Sequence, residues 1–530
     1  MTRCLRIFGA YSFRLSRRHS TILLIASFIV TITVILQLYA YRHHDRPHRR
    51  QRIGDFDYSP GSFLKGRQPN ENVTYCNFNY GLPDTLKWGS FRVQSSPETG
   101  NLSPYGVIYD AIKGKAYTNT SKYEALTYAT QATPEFIYHI VEIAKYWDGP
   151  ISLSVFVPDY DADLTIQIMN HLCHCYSGMS KVSLHLFYPR KFPPKMRTRE
   201  QRMMSTTTVV TTTINSTVEE ILKAKLNKYR NLNNKTRAQY IEWVRKNKIQ
   251  RMMVRLPKKR SFAPTLQFRD CSGLESFDIP TFRRENNMIY PINVGRNVAR
   301  NASRTNYFIV SDIEMVPSNG LAPKFLTMVR KLMGDKKRNE GCIFAKTVFV
   351  VPLFEVERGE EIPRDKDTLV RMVAANRATY FHQKVCSHCQ RFPGLQSWLT
   401  RPSPAGIEPM LIARREYPYH RWEPLYFGTH KEPWYSEMLS WEGRQDKMTQ
   451  MLEMCLQGYK FIVLDGGFLC HASLIFKIRL NFVNYEVFRR ATIFNTYRYY
   501  VIILSLKNKY KINKVPRKVD CKKCDVMYSL

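Results

Sequence analysis

The chain has 530 residues, 44% hydrophobic and 13% aromatic, which excludes a disordered polymer and supplies one large or two ordinary folded domains. With 80 Lys and Arg against 44 acidic residues the formal charge is +36. Such an excess suits nucleic acid, an anionic membrane surface, acidic substrates, or a basic secretory-pathway enzyme whose field favours nucleotide phosphates. Twelve cysteines are too few for a disulfide scaffold but enough for several bridges in an oxidising compartment.

Residues 1–20 read as a cytoplasmic tail. Thr21 to Ala40 (TILLIASFIVTITVILQLYA) holds no ionised side chain. Twenty helical residues span roughly the 30 Å hydrocarbon core of a bilayer, so a transmembrane anchor is expected. A cleaved signal peptide would show a shorter apolar run and a small-residue cleavage site, whereas this run ends in Gln37-Leu38-Tyr39. Arginines flank both ends (3, 6, 14, 17 and 18 before; 42, 46, 49, 50 and 52 after), so the positive-inside rule is nearly a draw. The glycosylation triplets at Asn72, Asn119, Asn215, Asn234 and Asn301 all lie C-terminal to the span. They favour a luminal body, hence a single-pass type II protein.

Residues 41–70 are basic, polar and rich in Pro and Gly, as a stem would be. A folded domain is expected over 71–476. Glu135 to Trp147 carries apolar residues at helical spacing, followed by the strand-like ISLSVFVPD. Asp163 to Cys173 reads as a helix and Val182 to Phe187 as a strand, an alternation that argues for an α/β sheet domain. From about 190 to 265 a Thr-rich tract and a basic run read as an inserted surface segment. Regular structure resumes at Tyr290. Residues 477–530 form a basic, aromatic tail with a strand-like run, YVIILSL.

The chemical signal is YFIVSDIEMVPS, Tyr307 to Ser318. Side chains i and i+2 at a strand end share a side, so Asp312 and Glu314 can address one ion. Hard carboxylate oxygens suit Mn²⁺ or Mg²⁺, which neutralise a diphosphate leaving group. Acid-x-acid triplets are commonplace by chance, and an acidic turn after a buried strand is the plain alternative. Just upstream, YPINVGRNVAR (Tyr290 to Arg300) is helix-like and sets Arg296 and Arg300 four apart on one face. Those cations can meet phosphates or simply line a solvated face. Cys386-x-x-Cys389 and Cys521-x-x-Cys524 read either as halves of a zinc site or, in an oxidising lumen, as disulfide cysteines.

The succession YPINVGRNVAR, YFIVSDIEMVPSNGL and VFVVPLFEVE resembles glycosyltransferase family 49, the family of β-1,4-glucuronyltransferases and of the LARGE glucuronyltransferase domain. ATQATPEFIYHIVEIAKYWDGPISLSVFVPD, Cys386-Ser-His-Cys389, Arg421-Trp-Glu-Pro-Leu-Tyr426 and Leu464-Asp-Gly-Gly-Phe-Leu-Cys-His471 extend the similarity over roughly residues 123 to 472, outside the insertion. The chain departs from the family pattern at Ala472-Ser473, where members commonly carry Lys-Gly, and beyond about Phe476.

The resemblance implies a GT-A (Rossmann-like nucleotide-sugar transferase) luminal domain behind the N-terminal helix, with a metal held by Asp312, Glu314 and His471. It implies a UDP-sugar donor, a glycan acceptor on a glycoprotein and a Golgi membrane location, while the anchor and the sequons argue against nucleic acid as a partner. A homodimer or a complex with other glycosyltransferases is compatible with it. Arg296 and Asn297 become candidate nucleotide contacts. The family inverts, so a carboxylate must deprotonate the acceptor hydroxyl, and Glu423 and Asp446 are the candidates. Transfer of glucuronic acid to a terminal xylose is the expected activity. The alternative is a catalytically inactive GT-A-fold Golgi membrane protein that binds or chaperones partners.

Overall fold

The computed structural model describes residues 32, 37, 59–79, 92–197, 262–272, 279–334, 343–357, 359–384, 386–413, 415, 418–440, 445–472 and 482–511. The chain divides into two compact units, Met1–Phe56 and Asp57–Leu530, and the architecture below is that of the second. Apart from Ile32 and Gln37, the expected tail and anchor lie outside the described residues. Among the described residues no helix is long and apolar enough to cross a membrane. Most of the stem, the insertion from 198 to 261, Asn215, Asn234, Cys521 and Cys524 also lie outside them.

The domain opens with β1 (Asn77–Phe78), β2 (Gln94–Ser95), β3 (Tyr105–Lys113) and β4 (Leu126–Ala132). Helix α1 (Ile140–Tyr146) leads to β5 (Ile151–Phe156), and α2 (Asp161–Cys175) leads to β6 (Val182–Pro189). The alternation read from the sequence is therefore present, with β4, β5 and β6 running parallel. Every residue of β4 and β5 is buried, as strands covered on both faces must be. The helix expected over 135–147 differs in its first half. Pro134 to His139 form a 3₁₀ turn, a common way to enter a helix after a proline, and the α-helix starts at Ile140.

Trp147 closes α1, fully buried, and donates its indole N–H to the Leu126 carbonyl at 3.2 Å. Gly149 follows of necessity, because a Cβ there would lie 2.4 Å from that same oxygen. Gly149→Ala is expected to destabilise the chain by about 1–3 kcal/mol, the usual cost of overpacking, read as a lower urea midpoint.

The second half begins with α3 (Phe282–Glu285), α4 (Ile292–Asn301), β7 (Tyr307–Val310), β8 (Met315–Pro317) and α5 (Leu321–Gly334). It continues through β9 (Thr347–Val351), β10 (Leu353–Val356), α6 (Lys366–Ala374), β11 (Ala378–Tyr380) and α7 (Leu395–Thr400). Then come β12 (Glu408–Ala413), β13 (Leu425–Gly428), α8 (Met448–Leu456), β14 (Lys460–Asp465), β15 (Leu469–Ala472) and α9 (Phe482–Lys509).

Among the described residues the main sheet runs β1-β3-β6-β5-β4-β7-β13-β9-β14-β12, with β2 on β3, and a smaller sheet runs β11-β10-β15-β8. The chain travels outward from β4 to β6 and then returns to place β7 on the other side of β4. The order reverses between β4 and β7, and open α/β sheets bind ligands at the carboxyl ends of strands flanking such a reversal.

The tail corrects one expectation. The run YVIILSL lies inside α9 and is not a strand. A short aliphatic run fits a helix as well as a strand, and here tertiary anchors hold the helix. Asn495 donates to the Ser440 carbonyl at 2.7 Å, and Lys509 pairs with Glu453 at 2.6 Å.

Among the described residues, the disulfides Cys76–Cys173, Cys175–Cys271 and Cys386–Cys389 tie the domain. Cys386 and Cys389 pair with each other, so neither offers a thiolate to zinc. Among the described residues, two His/Cys groups have metal-like spacing, one at His171, Cys175 and Cys271 and one at Cys386, His388 and Cys389. Each already contains a disulfide.

Candidate active site

Both β4 and β7 end at the reversal, and residues 311–314 carry the chain from β7 across to β8 in the smaller sheet. Asp312 and Glu314 therefore stand on a turn between two sheets and not on a strand end, because the chain has to change direction after Val310. Each acid has its own partners. Glu314 lies 3.4 Å from His471 Nε2. That meeting follows from topology, since β15 pairs antiparallel with β8 and sets His471 opposite Met315. His139, the last residue of the 3₁₀ turn, approaches the other Glu314 oxygen at 3.9 Å.

Asp312 accepts hydrogen bonds from Gln131 Nε2 at 2.8 Å and Arg296 Nη2 at 3.1 Å, and Lys447 Nζ stands 3.7 Å away. Burial opposes its ionisation, but Lys447, Arg296 and Gln131 together hold the carboxyl well below the usual carboxylate range. Burial opposes Glu314 in the same way, and His471 and His139 outweigh it. Both acids are anionic near neutrality.

Arg296 comes from α4, the helix foreseen in YPINVGRNVAR. That helix packs closely on the sheet at Gly295, where a Cβ would lie 3.0 Å from both Gln131 Cβ and the Phe187 ring. Arg296 is only 2% exposed and reaches Asp446 Oδ2 at 2.5 Å, Asn293 Oδ1 at 2.8 Å and Asp312. Asn297 and Arg300 turn the other way. Asn297 donates to the Tyr435 carbonyl and to Glu437 and accepts from the Tyr435 N–H, while Arg300 donates to the Pro433 and Glu432 carbonyls. These two side chains are buried and fasten the 429–437 loop, so only Arg296 of this helix stands among the acids.

Glu423 and Asp446 meet in the same cluster with opposite tendencies. Burial raises the Glu423 carboxyl to about 7; Lys447 works against the shift and Asp446 reinforces it. Asp446 is also buried, but Arg296 and Lys447 hold it below its ordinary value. For Glu423 burial prevails over Lys447, Arg296 and Arg415 together, whereas Asp446 has a direct hydrogen bond from Arg296. Arg296 pairs with both Asp312 and Asp446 and Lys447 stands by Asp312, so the direct ion pairs go to those two acids. Backbone geometry fixes Glu423, whose N–H donates to the Cys389 carbonyl at 2.9 Å, so the disulfide loop positions this acid.

Sequence reasoning missed Gln131, His139, Lys447 and His382. Lys447 adjoins Asp446, so position alone could have raised it, and Gln131 lies just before the helix read from Glu135. His382 had no such signal. It adopts φ 61°, a left-handed conformation rare outside glycine, and burial chiefly, with Lys447 and His471 adding to it, lowers its imidazole to about 4. The described sequons Asn72, Asn119 and Asn301 are all exposed.

Asp312, Glu314 and His471 offer hard oxygen and imidazole donors, and His471 Nδ1 is buried without a hydrogen-bond partner. That donor set fits a divalent ion of the Mn²⁺ or Mg²⁺ kind. The three are not drawn into a group whose ligand atoms all lie within 4.8 Å of one another.

A family model described as "Glycosyl-transferase for dystroglycan" matches residues 125–481. The chain belongs to this glycosyltransferase family. Its mixed α/β sheets are consistent with a Rossmann-like glycosyltransferase fold. Beta-1,4-glucuronyltransferase 1 of Bos taurus is 23% identical over 353 residues, covering 65% of this chain and 66% of the bovine one. The Homo sapiens protein of that name is 23% identical over 356 residues, 67% of this chain and 69% of its own. The xylosyl- and glucuronyltransferase LARGE1 of Danio rerio is 27% identical over 190 residues, 34% of this chain and 22% of the fish protein. The chain thus spans about two thirds of the length of these beta-1,4-glucuronyltransferases. The family match stops at 481, so α9 falls outside it.

Proposed function

We propose that this family member is a metal-dependent, inverting GT-A glycosyltransferase that moves glucuronic acid from UDP-glucuronic acid to a xylose-terminated glycan on a glycoprotein. The observation that carries this reading is that Asp312, two residues from the Glu314–His471 pair, shares Arg296 and Lys447 with Asp446, and that these same groups act on Glu423, a carboxyl raised to about 7. The donor and the acceptor rest on the family resemblance and on the names of the relatives.

Asp312, Glu314 and His471 would hold the ion, which when bound supplies the positive charge that a departing diphosphate needs. Lys447 places an ammonium beside Asp312, where a phosphate oxygen can meet it. Arg296 acts from behind, orienting Asp312 and Asp446. Glu423, half-ionised near neutrality, takes the proton of the acceptor hydroxyl as that oxygen attacks the anomeric carbon on the face opposite the leaving group. Asn297 serves by fastening the 429–437 loop.

A Golgi location with the body in the lumen and the anchor at 21–40 belongs to the same proposal. The disulfides and the exposed sequons among the described residues support it, because disulfides persist in oxidising compartments.

The test is UDP release by the full chain in mild detergent, with a panel of UDP-sugars, a xylose-terminated acceptor, and Mn²⁺ or a chelator. Acceptor-dependent release from UDP-glucuronic acid alone is expected. Chelator should lower it by about 100-fold or more and Mn²⁺ should restore it. Release from a different donor would move the specificity. Release indifferent to chelator would remove the metal, and a folded protein releasing UDP from no donor would overturn the reading.

A further inference from the structure

We propose that α9 is a dimerisation helix through which this chain pairs with a second copy of itself. Among the described residues the contacts of the helix lie on one side. Asn495 bonds Ser440, Arg498 donates to the Met438 carbonyl, Lys509 pairs with Glu453, and Ala491 and Leu506 are buried. The other side presents Ile493, Phe494, Tyr497, Tyr500, Val501 and Leu504, each between 38% and 69% exposed. Isolated exposed apolar residues are ordinary, but a contiguous stripe of this kind marks an interaction surface.

The spacing of the stripe says what covers it. Residues 493, 497, 500 and 504 stand at a and d positions of a heptad, with 494 and 501 beside them at e, a pattern that seats against another helix. The interval sequence four, three, four reads the same in both directions. A two-fold axis crossing the helix between residues 498 and 499 therefore sets Ile493 against Leu504 of the partner copy and Tyr497 against its Tyr500. That self-complementarity is what a closed two-fold dimer requires of one surface. Arg490 and Lys507, three residues beyond the stripe at either end, stop the seam.

The area is sufficient. Aromatic side chains present about 150–250 Å² each, so at these exposures the six residues offer on the order of 700 Å² per copy. A standard interface takes about 800 Å² from each partner. Lipid would need no palindromic spacing.

The full chain, purified in mild detergent, is to be measured by sedimentation equilibrium with the detergent density-matched. A particle of twice the 62.3 kDa chain mass is expected. The double variant Tyr497→Glu, Tyr500→Glu should raise the dissociation constant at least about 100-fold, and Leu504→Arg alone about 10-fold, in line with losses at buried interface centres. Unfolding temperatures and UDP release per chain should stay at wild-type values in both variants. In intact membranes, p-benzoylphenylalanine placed at position 497 should yield a chain–chain adduct on illumination. A wild type of single-chain mass at micromolar concentration would overturn the proposal, as would a dimer that survives both variants. Photoadducts with lipid alone, or with a protein of another mass, would do the same by giving the stripe to a different occupant.

Discussion

Asp312→Asn is expected to lower the turnover of sugar transfer by about 10³-fold, equivalent to roughly 4 kcal/mol of lost transition-state stabilisation. The substitution keeps the shape and the acceptor oxygen of the side chain and removes its charge. Gln131 and Arg296 can still donate to the amide oxygen. Arg296 also keeps Asp446 at 2.5 Å and Asn293 at 2.8 Å, so its buried guanidinium remains paired. The fold should therefore survive, and far-UV circular dichroism with a thermal melt checks that point. Mn²⁺ binding, followed by calorimetry, should weaken in parallel with turnover. A variant that turns over normally and still responds to chelator would show that Asp312 is not a ligand. A variant that binds Mn²⁺ normally but is inactive would move Asp312 from holding the ion to orienting Arg296 and Lys447.

What the sequence reveals and what it hides divide along one line. Features that depend on neighbours in the chain were legible. The helix of YPINVGRNVAR, the strands β5 and β6, and the acid pair after β7 all follow from local pattern. His471 was reachable only through the resemblance, because its approach to Glu314 depends on β15 pairing with β8 from 157 residues away. The roles of Glu423 and Asp446 were beyond reach for the same reason. Both are acids in loops, and nothing in RWEPLY or GRQDKMTQ tells which is ionised. The difference comes from burial, which prevails at Glu423, and from Arg296, 150 residues distant from Asp446, which bonds that acid directly. YVIILSL failed in the opposite way. Its β-branched residues argued for a strand locally, and contacts from Ser440 to Asn495 and from Glu453 to Lys509, on either side of it, hold the helix.

Glu423→Gln is the second substitution expected to have a large effect, and pH separates it from every other change at the site. A base must be unprotonated to act. With its carboxyl raised to about 7, Glu423 is mostly protonated at pH 6 and mostly ionised at pH 8. The logarithm of kcat/KM should accordingly climb with unit slope below about 7 and level off above it. Glu423→Gln should cost about 10²–10⁴-fold and abolish that limb, since glutamine does not titrate. Asp446 offers the contrast. Arg296 and Lys447 keep it ionised throughout this range, so Asp446→Asn removes no titration and loosens Arg296 instead. Its profile should retain the acid limb, displaced to lower pH, because the negative charge that helped raise Glu423 is gone. If Asp446→Asn flattened the profile and Glu423→Gln left it intact, the base would be Asp446. The ion pair with Arg296 would then have to open during turnover, since a carboxylate held at 2.5 Å by a guanidinium is a poor acceptor of a hydroxyl proton.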